Sequence, residues 1–216
     1  MQQYLQERGV EYVVHFTRAE NLPSIFALGL LGRTDTEIRQ AGATFNDHYR
    51  YDYLPNAICC SISFPNYRMF YRLRQENAQV DWAVIRLTPE ILWTKGCIFC
   101  QDNAANSAVA HMTLDERRGL PALQRMFIEN DGLHNRARLG IPTSYCTKPQ
   151  AEVLVLNPIE PHWIIDVMVD EKHRIRDIEN LTKIVRICGE QTRFYHAKGY
   201  FDARIDYAHW RGLEVG

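Results

Sequence analysis

The chain has 216 residues, 46% hydrophobic and 24% charged, with a formal net charge of -1. That is enough apolar material for one domain over 1–216, and so small a net charge speaks against a generally basic nucleic-acid binder. No stretch approaches the roughly 20 apolar residues that cross a bilayer, and Met1-Gln-Gln-Tyr-Leu-Gln-Glu-Arg8 lacks the basic start and apolar run of a signal peptide, so a cytoplasmic location is expected.

In chain order, residues 12–16 read as a strand that breaks into a helix over 19–28, capped near Thr17 and closed by Gly29. A strand at 58–64 leads into a helix at 66–77, and strands follow at 82–87 and 97–100. Helices are expected at 104–112, at 115–127 with an interruption near Pro121, and at 179–187. The remaining strands are 152–156, 164–169 and 193–200. Mixed rather than strict alternation favours an α+β fold, a split antiparallel sheet with peripheral helices, over a doubly wound parallel sheet.

Six cysteines do not form a disulfide framework: Cys59 and Cys60 are adjacent, and Cys146 and Cys188 stand alone. Cys97-Ile-Phe-Cys100 has CxxC spacing without a second pair or a histidine pair, so free thiols and no metal site are expected. There is no GxGxxG after a strand, no GxxxxGK[ST] and no GxSxG elbow, which leaves Rossmann, P-loop and serine-hydrolase readings without support.

Two long connections draw functional interest. Residues 32–55 are polar and tyrosine-rich, with Asp47-His-Tyr-Arg-Tyr-Asp-Tyr53, and 130–149 end beside Glu152. Arginines cluster at Arg68, Arg72 and Arg74, at Arg117 and Arg118, and at Arg136 and Arg138. Each cluster is either a solvated face or a set of bidentate phosphate contacts. Tyr145 is placed to stack on a base.

The residues with most chemical content are Glu152, in Lys148-Pro-Gln-Ala-Glu-Val-Leu-Val-Leu156, and His15, in His15-Phe-Thr-Arg-Ala-Glu-Asn-Leu-Pro-Ser-Ile25. Alone, a histidine in a strand is more often structural, and a glutamate before a Val/Leu run is more often a solvated strand end. Paired, the segments resemble the DarT family of DNA ADP-ribosyltransferase toxins, with its His-x-Thr strand, Asn-Leu-Pro-Ser-Ile and a late Gln-Ala-Glu-Val-Leu-Val.

The resemblance implies NAD as co-substrate, DNA as acceptor and no metal; with a net charge of -1 and only local arginine clusters the chain is ill equipped to repay extrusion of a base from a duplex, so single-stranded DNA is the expected substrate. The resemblance also implies a cognate ADP-ribosylglycohydrolase antitoxin of macrodomain or NADAR type. Glu152 would stabilise the oxocarbenium-like ribose and accept the acceptor's proton, with Arg68 beside it. His15, Phe16, Thr17, Asn21, Asn66 and Tyr71 would surround NAD, and Arg72, Arg136, Arg138, Tyr145 and Gln150 would face DNA. Asp102-Asn103-Ala104-Ala105 also looks like a family segment. Arg68 in Phe64-Pro-Asn-Tyr-Arg-Met-Phe-Tyr71 is displaced by two positions from the thymidine-modifying pattern, which leans the expectation towards guanine. Transfer to RNA or protein, and a catalytically silent nucleotide-binding domain, are the alternatives.

Overall fold

A computed structural model describes residues 1–35, 54–170, 183, 193–197 and 199–212. The expected helix at 179–187, apart from Lys183, Cys188 and the Asp47–Tyr53 part of the first long loop lie outside them. Seven strands form one open sheet: β1 Val13–Arg18, β2 Ile58–Ile62, β3 Trp82–Leu87, β4 Cys97–Cys100, β5 Glu152–Val155, β6 Ile164–Val169 and β7 Arg193–His196, in the spatial order β4-β5-β2-β1-β3-β6-β7. Around it lie α1 Gln2–Glu7, α2 Leu22–Leu28, α3 Tyr67–Glu76, α4 Ile91–Thr94, α5 Ser107–Ala110, α6 Gly119–Arg125, α7 Arg136–Leu139 and α8 Tyr207–Gly212. The expected antiparallel core is present, but β7 joins β6 in parallel, so the sheet is mixed.

The sheet forks in the middle. β1 pairs with β3 over six positions but with β2 over two, Val13 to Ile62 and Val14 to Ser61. Strand alternation then sorts the side chains into cores. Val13, Ala83, Ile85, Val167, Cys60 and Val153 share one large cluster that spans both halves. On the opposite face the apolar residues divide: Val14, Val84 and Met168 pack with Phe70 under β1-β3-β6, while Ile98, Cys100 and Leu154 form a separate cluster under β4-β5-β2.

Several boundaries differ from expectation for identifiable reasons. The helix expected at 19–28 begins at Leu22 and is not capped at Thr17, because the β1 ladder with β3 continues to Arg18 and a 3-10 turn at Ala19–Asn21 intervenes. Asn21 turns back to Thr17, Nδ2 to Oγ1 at 3.1 Å, instead of capping α2. β2 ends at Ile62 rather than 64, since Ser63 takes φ 60. Pro121 does not interrupt a helix; it sits in the first turn of α6, where a missing N–H costs nothing. Residues 130–149 are not featureless, since they hold α7, capped by the Asn135 side chain at Arg138 N. Gly29, with φ 88, closes α2 as expected, and a Cβ there would collide with the Ile159 carbonyl, whose strand-like bridge to Leu30 brings the two chains together.

Candidate active site

Glu152 opens β5 opposite Cys100 of β4 and is 7% exposed. Its Oε1 accepts from Asn66 Nδ2 and from Asn103 Nδ2, both at 3.2 Å, and its Oε2 accepts from the Ala104 backbone N–H at 2.9 Å. Neither asparagine amide is free to flip. Asn66 Oδ1 caps α3 by accepting from Met69 N–H at 3.2 Å, and Asn103 Oδ1 accepts from Ala105 N–H at 2.9 Å. Each therefore turns its NH2 towards the carboxylate.

Local backbone explains how two distant asparagines arrive there. Ser63 adopts the left-handed region and turns the chain out of β2 through Phe64 and Pro65 to Asn66. Its Oγ is buried and without a hydrogen-bond partner. On the other side, Asp102 Oδ1 accepts from Asn103 N–H at 2.8 Å while its Oδ2 takes Lys148 Nζ at 3.2 Å, which ties the turn under Glu152 to the end of the 130–149 segment.

His15 lies just past the last β1–β2 pair. Its Nδ1 meets the Cys59 carbonyl at 2.8 Å, and because a carbonyl only accepts, Nδ1 carries the hydrogen. Burial pushes its pKa below the ordinary value of 6.5, against the smaller opposite effect of the Cys59 bond. The imidazole at neutral pH is thus uncharged, with Nε2 as an acceptor. Phe16 stacks on Phe70 of α3, centroids 4.6 Å apart, so α3 holds Glu152 at its start and the β1 half of the sheet one turn later.

The remaining expected residues separate into groups. Arg68 is half-buried on α3, two residues past Asn66, and Gln150 is half-buried two residues before Glu152. The Tyr145 ring lies 5.2 Å from Phe64, beside the same turn. Tyr71, Arg72 and Arg138 are exposed, with Arg72 in an i,i+4 pair with Glu76 at 3.8 Å.

The expectation that Arg136 contacts DNA is corrected. Its guanidinium is buried and donates to the carbonyls of Pro142, Thr143 and Tyr145 and to Thr147 Oγ1, so it folds its own loop. Arg74 and Arg117 also turn inward. Arg74 packs over Phe70 and pairs with Asp170 at 3.8 Å, and Arg117 lies buried against Cys100 Sγ. Asn103 and Lys148 gained no clear role from sequence; the segment Asp102–Ala105 was its one visible signal. Among the described residues no group of three or more His, Cys, Asp or Glu is placed to hold a metal ion, and no helix is long and apolar enough to cross a membrane.

An open forked sheet of this order is the ADP-ribosyltransferase-like fold, as the solved structures it resembles make clear. Thermosipho africanus DarTG in complex with ADP-ribose superposes with a TM-score of 0.58 at 17% identity, covering 88% of this chain and 51% of that one. Thermus sp. 2.9 DarT in complex with NAD+ gives 0.53 at 15% identity, covering 89% of this chain and 98% of that one. The same Thermus protein in complex with ADP-ribosylated ssDNA gives 0.53 at 15%, covering 90% and 97%. This chain thus spans about half the length of the Thermosipho chain and nearly all of the Thermus one. A search of curated proteins found no match. The family model described as "ssDNA thymidine ADP-ribosyltransferase, DarT" matches residues 14–201, and the chain belongs to that family.

Proposed function

We propose that the protein breaks the nicotinamide glycosidic bond of NAD and transfers ADP-ribose to a thymine of single-stranded DNA. The observation that carries this reading is the buried Glu152 carboxylate, gripped by three N–H donors at the head of β5. As the C–N bond breaks, its electron pair leaves with nicotinamide and positive charge builds on the ribose. A fixed carboxylate stabilises that charge without having to reorganise. A ring N–H of the base then attacks the anomeric carbon, and its proton passes to Glu152.

His15 is assigned to the cofactor, since a neutral imidazole with Nε2 as acceptor suits a ribose hydroxyl. Thr17 and Asn21, bonded to each other, line the same strand end, and the Phe16 backbone lies between them and His15. Asn66 and Asn103 orient the glutamate, and Arg68 is assigned to the NAD phosphates. Arg72, Arg138, Tyr145 and Gln150 remain the residues offered to DNA.

The expected preference for guanine gains no support, because the matching family model is described as thymidine-modifying; thymine is the acceptor proposed here. A toxin role with a cognate antitoxin is part of the same proposal, supported by the likeness to Thermosipho africanus DarTG. A cytoplasmic location goes with this proposal, since DNA and NAD would both be met there.

The test is incubation with labelled NAD and single-stranded oligonucleotides lacking one base at a time. Label should persist in all but the thymine-free strand, and Glu152→Gln should lower it by on the order of 100-fold or more. Transfer without thymine would move the acceptor, and wild-type turnover by Glu152→Gln would remove the carboxylate from the mechanism.

A further inference from the structure

The match to the family model ends at residue 201, yet the segment that follows is anchored by three buried side chains, Arg204, Asp206 and Trp210. Arg204 and Asp206 are both buried. The Arg204 guanidinium holds Asp206 through Nε at 2.7 Å and a second contact from Nη2, and also donates to the carbonyls of Cys146 and Thr147, each at 2.8 Å. Trp210 Nε1 donates to Asp206 Oδ2 at 2.6 Å, and its ring lies 4.2 Å from that of His134 in the loop before α7.

From there the contacts run on to the reaction centre. Thr147 is followed by Lys148, whose Nζ holds Asp102; Asp102 fixes Asn103 N–H, and Asn103 and Ala104 hold the two oxygens of Glu152. We propose that residues 204–210 are a positioning element of the catalytic site: Arg204, Asp206 and Trp210 set Glu152 through Lys148 and the Asp102–Ala104 turn. This rests on the role given to Glu152 above. The guanidinium fork is what makes the arrangement specific, since it serves two carbonyls and a carboxylate in one plane, which an ammonium group cannot do. Small displacements of a group that faces developing charge are costly, on the order of 100-fold per ångström.

Contiguity alone does not establish coupling, so the test is a double-mutant cycle in the full chain. Arg204→Lys keeps the charge and loses the fork; Trp210→Phe keeps a ring beside His134 and loses the N–H. Each should lower kcat by on the order of 10-fold while the KM for NAD stays within about twofold, the pattern of an interaction felt in the transition state. In a Lys148→Met background, where the line is already cut, the same changes should lower kcat no further, although they should lower Tm as much as they do in the wild type. A purely structural role would move Tm in both backgrounds and multiply the kcat losses, which would overturn the proposal, as would wild-type kcat in both single variants. A wild type that consumes no NAD with any acceptor would instead overturn the function itself.

Discussion

Asn66 and Glu152 are 86 residues apart in sequence, and the amide of the first donates to the carboxylate of the second at 3.2 Å. The same side chain starts α3, because Oδ1 accepts from Met69 N–H. One residue therefore couples the register of a helix to the orientation of the Glu152 carboxylate.

Replacing Asn66 should separate these two duties. Asn66→Ala loses the cap, worth about 1 kcal/mol, together with one donor to Glu152. Asn66→Asp keeps the cap but sets a second carboxylate against Glu152, where like charges disfavour each other strongly. Stability in urea should fall more for Ala than for Asp at low pH, where one of the two carboxyls stays protonated, and more for Asp at high pH, where both are charged; kcat should fall more for Asp, by on the order of 100-fold. An aspartate variant as active as the wild type would show that Oε1 does not need a donor.

The depressed His15 pKa gives a pH dependence with a definite sign. The unfolded chain takes up a proton near 6.5 and the folded chain only at lower pH, so the folded state is fully favoured above about 6.5 and loses stability as pH falls below it. Tm should decline between pH 7.5 and 5.5, each kcal/mol lost appearing as about 2–4 °C for a domain of this size, and the decline should be shallower in His15→Gln. Affinity for NAD measured by calorimetry should weaken only at lower pH than this, because burial holds the folded imidazole unprotonated below its ordinary range and protonation removes the Nε2 acceptor. Unchanged affinity in His15→Gln would dissociate His15 from the cofactor.

Ser63 offers a test of the turn that delivers Asn66. Its φ of 60 is unfavourable for a side chain, and its buried Oγ is unsatisfied. Ser63→Gly should be neutral or stabilising by up to about 1 kcal/mol, and Ser63→Val, with a β-branched side chain, should cost on the order of 1–3 kcal/mol. Denaturation with guanidinium measures both. A valine variant of unchanged stability would mean that the turn accommodates a different backbone.

The sequence made the strands legible where an apolar run is bounded by polar residues: Trp82–Leu87, Cys97–Cys100 and Ile164–Val169 lie where the pattern places them. It was less informative where pairing decides. Thr17 looks like a helix cap by type, yet its backbone belongs to a ladder whose partner is 66 positions away, at Ala83. Arg136 in a glycine-containing loop has the same local signature as a solvated arginine, and only the converging carbonyls of Pro142, Thr143 and Tyr145 reveal its internal duty. Short α8 carries too few turns for a periodic signal, and Asn103 becomes meaningful once the Asp102–Ala105 turn is seen to fold beneath Glu152. The candidate site was suggested at Glu152 and His15 because the family motif marks them; the contacts around them form across long sequence distances.

The fork between β1 and β2 makes the sheet two stiff plates joined along a short seam. Glu152 rides on the β4-β5-β2 plate and His15 on the other, with two ladder pairs between the strands that carry the seam. Separating plates across so few backbone bonds is mechanically cheap compared with parting β1 from β3, and α3, fastened to Glu152 at one end and to Phe16 further along, acts as the brace that sets their angle. A dinucleotide held by both His15 and Glu152, as proposed, would be a strut across the seam, and part of its binding free energy would appear as rigidity of the sheet itself.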